Sequence, residues 1–398
     1  MPNTRGSKVT LPLITVALAV IIYTQSEFLW KLIGQANIDK SRLVKWENSE
    51  PLNNGNCQVI KEMNACEDVK IHYASNTAFL ACGDPLERRN WYPCAGMRDS
   101  TKRSEASFRE TLFKYDLISG KPTELQLHGL EGDFITHGID IFSTPGDPSK
   151  VHIFAVNHAR EGDSILIFSH ELGSDVVELE SKVRHPNIKT ANGVVATGSR
   201  EFYVTNDHYF ALGPLRVAEE AYGPFTWSTH VQFCDASAEH VTCKQVTGTF
   251  PGANGIALWK NRLFVGDARN GTVTIFDIHH DKSLTQLSQM DLGAAADNIN
   301  IDPISGDPIV AIFPTLEDLP TYLDNVLSLG KDFLVPAASL RLNHAKDYAP
   351  ELIYFDDGSV MSFMTTAAVD PYNNLFLASG VIQYGGLAVC QVPAGTFA

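Results

Sequence analysis

Short apolar runs separated by turn residues follow one another along most of this chain. Between residues 61 and 392 the runs include "SKVHIFAVNHA", "SILIFSHEL" and "NRLFVGDARNGTVTIFDI", and Gly, Pro, Asn and Asp stand between them. Runs of β-branched and aromatic residues bounded in this way predict β-strands. Long helical periodicity is absent from the sequence except around residues 211–230. The pattern therefore predicts an all-β fold.

Several of these runs share one format, in which a polar residue precedes a glycine and a β-branched residue, or an equivalent apolar pair, and a hairpin follows. The segments are His137-Gly138-Ile139, Asn192-Gly193-Val194, Asn254-Gly255-Ile256 and Asn298-Ile299-Asn300. Their separations of 55, 62 and 44 residues match the irregular blade lengths of a β-propeller. We therefore predict one propeller domain over residues 46–398.

Length, composition and charge agree with this prediction. The chain has 398 residues, which is long for one ordinary domain, but closed all-β folds reach this size as single units. With 44% hydrophobic residues it can bury a large core. The formal net charge of -15 argues against binding to nucleic acid, which requires clustered Lys and Arg. An acidic chain of this kind attracts cations instead.

Repeated polar positions on the innermost strands of a propeller converge on its central channel, although they are far apart in sequence. The converging set consists of carboxylates and carboxamides: Glu67, Asn206, Asn254, Asp297 and Asn298. Hard oxygen ligands of this kind suit Ca²⁺ and leave coordination positions for water or substrate. Taken alone, an Asn-Gly pair such as Asn254-Gly255 is more often a turn. Asn192 occupies the same repeated position and is interpreted as a residue that supports the ligands.

"VTNDHYF", residues 204–210, places Asn206 beside Asp207 at the end of a predicted strand. In an extended segment, neighbouring side chains point to opposite faces. The two residues are therefore expected to serve two different environments.

The N-terminus has the layout of a secretory leader. Basic residues at 5 and 8 precede "VTLPLITVALAVIIYT", whose apolar run of roughly 13 to 15 residues is short for a full membrane span. An Ala17-Leu18-Ala19 cleavage pattern lies inside this run, which favours an uncleaved signal anchor. "FLWKLIG", residues 28–34, is interpreted as an amphipathic helix at a membrane surface. Residues 1–45 are thus assigned to the leader, and its simple removal after secretion is the alternative.

Entry into the secretory pathway allows the seven cysteines to form disulfides. Cys57 and Cys390 suit a bridge that closes a large ring, and Cys234 with Cys243 forms a local pair. Cys82 is paired with Cys94, which leaves Cys66 over, although spacing alone does not fix the pairing. Asn270-Gly271-Thr272 is both a glycosylation sequon and a hairpin-turn signal.

The sequence as a whole resembles the serum paraoxonase/arylesterase family of calcium-dependent lactonases. The resemblance runs from about Cys57 to Cys390 and is strongest in "THGIDIF", "VNHA", "FYVTNDHYF", "ANGIAL", "DNINIDPISGD" and "DDGSVMS". It implies a six-bladed β-propeller with two calcium ions in the central channel. The implied ligands of the catalytic ion are Glu67, Asn206, Asn254, Asp297 and Asn298. Those of the structural ion are Asp68, Asp207 and the backbone carbonyl of Ile139.

The resemblance also implies that His137 and His158 form a catalytic dyad. A histidine can take a proton from water near neutral pH, and a second histidine can orient or relay it. The implied reaction is hydrolysis of lactones, with the oxyanion stabilised by Ca²⁺ and arylesterase activity as a promiscuous side reaction. Two alternatives remain: a calcium-stabilised propeller that acts only as an interaction scaffold, and a propeller of the gluconolactonase or strictosidine-synthase type. The pairs Glu67-Asp68 and Asn206-Asp207 argue against the latter.

The sequence departs from the family after Asp297-Asn298, where the next strand ends in "AIFP", residues 311–314. The animal enzymes often carry a histidine in this strand. Phe313 is therefore expected to make the pocket more apolar and to reduce organophosphate and aryl ester hydrolysis. The segment 211–230, and the insert that contains Cys234 and Cys243, are expected to overhang the mouth of the channel.

Overall fold

The computed structural model describes residues 15, 16, 18–20, 23, 34, 36–99, 108–327, 333–383 and 385–397. Most of the predicted leader, including nearly all of the amphipathic segment 28–34, lies outside these residues. In the described part of the chain, no helix has both the length and the apolar character needed to cross a membrane.

The described residues form six sheets arranged as the blades of a β-propeller. In the first three blades, the strands are, from the inner to the outer edge: Asp68–His72, Thr77–Cys82, Thr111–Asp116 and Pro122–Glu124 in blade 1; Thr136–Ser143, Lys150–Ala159, Gly162–Glu171, Val176–Val183 and Gln126–His128 in blade 2; Ala191–Ala196, Glu201–Asn206, His230–Asp235 and Thr242–Gln245 in blade 3.

The other three blades repeat the four-stranded antiparallel arrangement. Their strands are Ala253–Trp259, Arg262–Asp267, Thr272–Ile278 and Leu284–Asp291 in blade 4; Ala295–Ile301, Pro308–Phe313, Ala337–Asn343 and Ala349–Asp356 in blade 5; Thr366–Asp370, Leu375–Ser379, Leu387–Gln391 and Cys57–Ile60 in blade 6. The inner strand of each blade contacts that of the next, and blade 6 contacts blade 1, so the ring closes.

Short helices and a small hairpin decorate the ends of the blades. Among the described residues from 36 onwards, the α-helices are Pro85–Arg88, Pro214–Tyr222 and Leu319–Leu327, and the two-stranded sheet consists of Trp91–Tyr92 and Met97–Arg98. The 3-10 helices are Lys40–Val44, Tyr73–Ser75, Pro93–Ala95, Leu316–Asp318 and His344–Lys346. The helical pattern around 211–230 is thus confirmed, but the sequence did not predict the helix at 319–327.

The core is divided into clusters that lie between adjacent blades. Phe79 and Ala81 of blade 1, for example, pack on Ile153 and Phe168 of blade 2, and corresponding clusters fill the other junctions. A strand in the middle of a blade therefore has apolar neighbours on both faces. This explains why such strands read as continuous apolar runs in the sequence rather than as alternating ones.

The two ends of the chain close the propeller together. Strand Cys57–Ile60 pairs with strand Leu387–Gln391 and supplies the outer edge of blade 6. Cys57 and Cys390 are opposite one another in this register, and they form a disulfide. The prediction of a bridge that closes a large ring is confirmed.

The local disulfides differ from the prediction in one case. Cys234 pairs with Cys243 across two neighbouring strands, as predicted. Cys66 pairs with Cys82, whereas Cys94 is free, so the predicted pairing of Cys82 with Cys94 is wrong. The reason is the antiparallel register of blade 1, which brings the ends of its first two strands together. Cys94 lies outside that hairpin, in the 3-10 helix Pro93–Ala95.

A buried ion pair anchors the helix Pro85–Arg88 to the propeller. Arg88 is fully buried and makes two hydrogen bonds of 2.8 Å with the carboxylate of Glu110. It also donates to the carbonyl oxygens of Ala65 at 2.9 Å and Val381 at 2.7 Å. One guanidinium group therefore connects segments of blade 1 with the end of blade 6.

The Asn270-Gly271 pair lies in the hairpin between two strands of blade 4, and Gly271 has a φ of +61°. The predicted turn is confirmed. Occupancy of the sequon by a glycan stays a prediction.

Candidate metal and catalytic site

Breaks in the regular pairing bring the repeated polar residues to the mouth end of the channel. The register shifts between Ala191 and Val194 in blade 3 and between Ala253 and Ile256 in blade 4. Blade 5 shows the same shift around Asp297. Such a bulge rotates side chains away from the alternating pattern of a strand. Neighbouring residues can therefore both be directed towards the channel.

The glycines of the repeated format allow the inner strands to approach one another closely. A Cβ atom on Gly138 would lie 2.5 Å from the carbonyl oxygen of Asn192, and one on Gly255 would lie 2.4 Å from that of Asp297. Side chains at these positions would push the blades apart. The Asn-Gly pairs of the inner strands are therefore close-packing elements, not turns.

A cavity of about 310 Å³ opens at this end of the channel, a size typical of small-ligand pockets, which span ~300–1,000 Å³. Its polar floor includes Glu67, His137, Asn192, Asn254 and Asp297. Its other wall is apolar and includes Phe313, Leu316, Leu319, Leu323, Phe363, Val381 and Ile382. The rings of Phe313 and Phe363 are stacked, with centroids 4.3 Å apart. Phe313 thus lines the cavity and makes it more apolar, as the sequence predicted.

Three oxygen atoms on the floor are buried and lack a hydrogen-bond partner. They are Oε2 of Glu67, Oδ1 of Asn192 and Oδ1 of Asn254. Buried acceptors without donors are costly, and such groups in a folded protein call for a ligand. A carboxylate and two amide oxygens are the donors that Ca²⁺ prefers. The residues at this position therefore fit a calcium ion.

The charges of the floor also favour a bound cation. Burial and the nearby negative charge of Glu67 raise the pKa of Asp297 well above its ordinary value, since two carboxylates share one dry site. Burial would raise the pKa of Glu67 as well, but His137 and the amide of Asn298 hold it below its ordinary value. Nδ2 of Asn298 donates to Oε1 of Glu67 at 2.6 Å. Asn298 therefore fixes the orientation of the carboxylate.

The structure does not bring Asn206 to this floor. Its Oδ1 accepts hydrogen bonds from the backbone N–H groups of Lys189 and Thr190, at 3.1 and 3.0 Å. Its Nδ2 donates to the carbonyl oxygen of Asn187 at 2.9 Å. The amide is therefore fully used in holding the loop that precedes blade 3. Asn192, which the sequence interpretation treated as a supporting residue, supplies instead a buried oxygen without a hydrogen-bond partner.

The three residues predicted for a second ion make contacts with other protein groups. Asp207 lines the cavity, where its Oδ1 lies 2.7 Å from Nδ1 of His208 and its Oδ2 accepts from Nδ2 of Asn192 at 3.5 Å. Asp68 lies on the inner strand of blade 1, and no hydrogen bond joins it to Asp207 among the described residues. Ile139 faces Asp68 through its N–H group, which donates to Oδ2 at 3.0 Å.

A lysine ammonium group occupies the neighbourhood of Asp68 instead. Nζ of Lys70 lies 3.4 Å from Oδ1 of Asp68 and donates to the carbonyl oxygen of Ile299 in blade 5 at 3.0 Å. Oδ1 of Asp68 also accepts from the N–H group of Val69 and the hydroxyl of Thr366, at 2.8 and 3.1 Å. The carboxylate already has its donors and a positive charge beside it.

The predicted histidine dyad is part of a longer chain of hydrogen-bonding groups. Nε2 of His137 lies 3.2 Å from Oε1 of Glu67, and its Nδ1 lies 2.8 Å from Nε2 of His158. Nδ1 of His158 lies 3.0 Å from Oδ1 of Asp163. Burial opposes protonation of His158, but Asp163 and Cys94 raise its pKa to about 10. The series is a continuous path for a proton from the floor of the cavity to Asp163.

Sequence reasoning missed two members of this group. Asp163 is the cross-strand partner of His158 in the hairpin of blade 2, so the short turn after "VNHA" was the signal for it. Cys94 lies with His137 and His158, such that the thiol sulfur and one ring nitrogen of each histidine are within 4.8 Å of one another. The sequence analysis paired Cys94 with Cys82 in a disulfide, so its place beside the histidines was not predicted.

The rim of the cavity is formed only in part as predicted. Glu220 of the helix Pro214–Tyr222 lines the cavity, so segment 211–230 does lie at the mouth. The disulfide Cys234–Cys243 joins the outer strands of blade 3 and does not line the cavity. The prediction that this insert overhangs the channel is wrong, because both cysteines belong to regular strands. The helix Leu319–Leu327 supplies the opposite rim through Leu319 and Leu323.

Comparisons with known proteins identify relatives over most of the chain. The family model described as Arylesterase matches residues 50–387. Serum paraoxonase/arylesterase 2 from Bos taurus is 28% identical over 79% of this chain and 83% of its own length. Serum paraoxonase/lactonase 3 from Homo sapiens is 27% identical over 80% of this chain and 85% of its own length. Serum paraoxonase/arylesterase 1 from Homo sapiens is 26% identical over 83% of this chain and 88% of its own length.

Solved structures with a similar chain path include a periplasmic gluconolactonase from Pseudomonas aeruginosa. It has a TM-score of 0.46 and 12% identity, with 82% of this chain and 86% of that chain covered. The calcium-binding protein regucalcin from Agrobacterium tumefaciens has a TM-score of 0.48 and 12% identity, with coverages of 85% and 94%.

Proposed function

The chain belongs to the arylesterase family, and we propose that it is a calcium-dependent hydrolase that opens lactones, with aryl esters as promiscuous substrates. An esterase or lactonase type of hydrolase is the activity common to its relatives. The calcium dependence, the histidine dyad and the preference for lactones are the parts that we propose for this chain.

One observation carries the proposal. Buried oxygen atoms of Glu67, Asn192 and Asn254 lack hydrogen-bond donors and lie on the floor of a cavity with an apolar wall. A floor of this composition suits a hard cation, and the wall suits the hydrocarbon part of a small ester or lactone. His137 lies beside the floor, within reach of the same space.

We propose that the ion is held by Glu67, Asn192, Asn254, Asp297 and Asn298. This set keeps four of the residues predicted from the sequence and replaces Asn206 with Asn192. Bound Ca²⁺ supplies the positive charge that polarises the substrate carbonyl and stabilises the oxyanion of the tetrahedral intermediate.

The protein groups carry the proton transfers. His137 takes a proton at its ring from the attacking nucleophile, and His158, whose raised pKa favours its protonated form, orients His137 through the 2.8 Å contact between the rings. Asp163 holds the ring of His158 in one orientation. The apolar wall around Phe313 and Phe363 excludes bulk water from the substrate side.

We further propose that the channel of this protein holds one calcium ion rather than the two implied by the family resemblance. Lys70 places a positive charge beside Asp68, and His208 lies beside Asp207. A second divalent cation next to an ammonium group would be repelled by it.

The disulfides favour an oxidising compartment, and the serum relatives point in the same direction. We therefore propose that the protein enters the secretory pathway. Attachment to a membrane surface through the leader, residues 1–45, stays a prediction.

The test is hydrolysis of a panel of γ- and δ-lactones and of phenyl acetate by the purified protein, before and after calcium removal. Activity should disappear with a chelator and return with Ca²⁺. Asn254→Ala should lower calcium affinity measured by titration calorimetry, and His137→Gln should lower turnover while calcium still binds. Bound calcium without turnover on any lactone or ester would favour the scaffold function and refute the hydrolase.

A matched pair of variants tests the revised ligand set. Asn192→Ala should weaken calcium binding strongly, because its oxygen has no other partner. Asn206→Ala should reduce the free energy of unfolding, since three hydrogen bonds to backbone groups are lost, but leave calcium affinity nearly unchanged. The reverse result would restore Asn206 as the ligand.

A further inference from the structure

The free thiol of Cys94 lies against the histidine pair in the wall of the main cavity. Its sulfur and one ring nitrogen each of His137 and His158 are within 4.8 Å of one another. All seven cysteines are in the described part of the chain, and the other six form disulfides. Cys94 also lines the cavity that contains the oxygen cluster. A thiol, two imidazoles and the substrate space therefore meet at one place.

Neighbouring contacts hold this thiol in position. Nε1 of Trp91 donates to the carbonyl oxygen of His158 at 2.7 Å. The ring of Tyr92 packs edge-on against the ring of His158, with centroids 5.8 Å apart. Nη2 of Arg216 donates to the carbonyl oxygen of Pro93 at 3.2 Å from the other side. The segment that carries Cys94 is thus fixed to the residue that would accept its proton, which is the preorganisation that a nucleophile requires.

The thiol, the histidine and the carboxylate are arranged like the catalytic residues of hydrolases with a cysteine nucleophile. Such sites need a thiol, a histidine beside it, and a third group that orients the histidine. Cys94, His158 and Asp163 meet this description, with 3.0 Å between Nδ1 of His158 and Oδ1 of Asp163. Burial alone would raise the pKa of the Cys94 thiol, but the two imidazoles lower it. A lowered pKa favours the thiolate, which is the nucleophilic form.

We propose that Cys94 is a nucleophile of the hydrolytic reaction, so that acyl transfer passes through a thioester on this residue. The histidine pair already holds the proton of the thiol when the thiolate forms the S–C bond to the substrate carbonyl. The ring C–O bond of the lactone then breaks, and its oxygen takes that proton to become a hydroxyl group. Water, deprotonated by the same pair, cleaves the thioester and regenerates the thiol, with no net oxidation or reduction. This inference rests on the proposed hydrolase function.

A transition-metal site is the other chemistry that a cysteine and two histidines can provide. The geometry favours proton transfer, because Nδ1 of His137 and Nε2 of His158 are 2.8 Å apart, at hydrogen-bonding distance. The remaining ring nitrogens are occupied by Glu67 and Asp163. A metal ion bound by all three residues would have to break the contact between the rings.

The experiment compares the native protein with Cys94→Ala and Cys94→Ser, without reductant. Each protein is mixed rapidly with p-nitrophenyl acetate, quenched in acid and examined by mass spectrometry of the intact chain and of its peptides. Release of nitrophenol is followed in the first turnover, and γ- and δ-lactone hydrolysis is measured at steady state. Calcium content and thermal unfolding of the variants are measured as controls for folding.

The expected result is an acetyl group on the peptide that contains Cys94, removable by neutral hydroxylamine, and a burst of one nitrophenol per chain. Both variants should lose the adduct and roughly 10³-fold or more in kcat/KM while binding calcium normally, as loss of a nucleophile does. The native chain alone tests the adduct, so the proposal stays falsifiable if the variants fail to fold.

Other results would overturn the proposal in distinguishable ways. If Cys94→Ala hydrolyses lactones within about threefold of the native rate, the thiol is a spectator and only this inference fails. Stoichiometric zinc in the native protein that is absent from Cys94→Ala, without any acyl adduct, would make the thiol a metal ligand. A native protein that turns over no lactone or ester and forms no adduct would reject the proposed function as well.

Discussion

Replacement of Lys70 by methionine tests whether an ammonium group stands where a second calcium ion was expected. The side chain of Lys70 is 12% exposed and that of Asp68 is 3% exposed, so the pair is nearly dry. Methionine keeps the unbranched apolar stem and removes the charge together with the hydrogen bond to the carbonyl oxygen of Ile299. The carboxylate of Asp68 would then remain buried with no positive charge beside it.

The expected loss follows from the contacts that survive. Removal of one partner of a buried ion pair costs about 3–5 kcal/mol. Asp68 keeps hydrogen bonds from Val69, Thr366 and Ile139, so the lower end of this range applies. We therefore expect Lys70→Met to lower the free energy of unfolding by about 3 kcal/mol at pH 7.5.

The same pair predicts how this loss depends on pH. Burial raises the pKa of Asp68 to about 6 in the native protein, although Lys70 opposes this shift. A carboxyl group whose folded pKa is raised stabilises the fold when protonated, and that contribution is lost as the pH rises through the folded pKa. At pH 5 Asp68 is mostly protonated with or without Lys70, so the effect of the substitution should shrink. At pH 7.5 Asp68 is ionised, so the substitution should cause the full loss of unfolding free energy.

The assay is urea unfolding of the calcium-free proteins at the two pH values, together with calcium counting by mass spectrometry of the native protein. Lys282→Met is the matched control, because Lys282 forms a partly exposed pair with Glu201 that should contribute only about 0–1 kcal/mol. A loss below about 1 kcal/mol for Lys70→Met, or two tightly bound calcium ions per native chain, would refute the reasoning.

Three further predictions concern stability. Arg88→Met should cost about 3–5 kcal/mol in urea unfolding, because it strands the buried carboxylate of Glu110, and adding Glu110→Gln should recover part of the loss; a double variant with fully additive losses would contradict this. Burial raises the pKa of Asp267 to about 6, so its contribution to stability is present below pH 4 and lost as the pH rises through about 6. Asp267→Asn should therefore gain up to about 3 kcal/mol relative to the native protein at pH 8 and little at pH 4, and an equal effect at both pH values would exclude this origin. Replacing Cys66 and Cys82 together by serine opens a loop with a sequence separation of 16 and should cost about 3 kcal/mol, whereas peptide mapping that links Cys82 to another cysteine would contradict the pairing.

The sequence by itself determined the architecture and most of the floor of the site. Apolar runs between turn residues gave the strands, and the spacing of the polar-Gly-apolar format gave the blades. Glu67, Asn254, Asp297 and Asn298 could be assigned to the channel because residues at equivalent positions of successive inner strands must converge on the axis of a propeller. The alternation of side chains along a strand shows the face on which a residue lies, and it can be read from neighbouring residues in the sequence.

Tertiary structure decided which of the convergent groups remain available for chemistry. Asn206 and Asn192 are both asparagines of blade 3, but loop N–H groups use the amide of Asn206 and leave the oxygen of Asn192 without a donor. In the same way, Cys94 reaches the histidines of blade 2. Whether an amide oxygen or a thiol is free to bind or react depends on groups supplied by distant segments. No local pattern in the sequence contains that information.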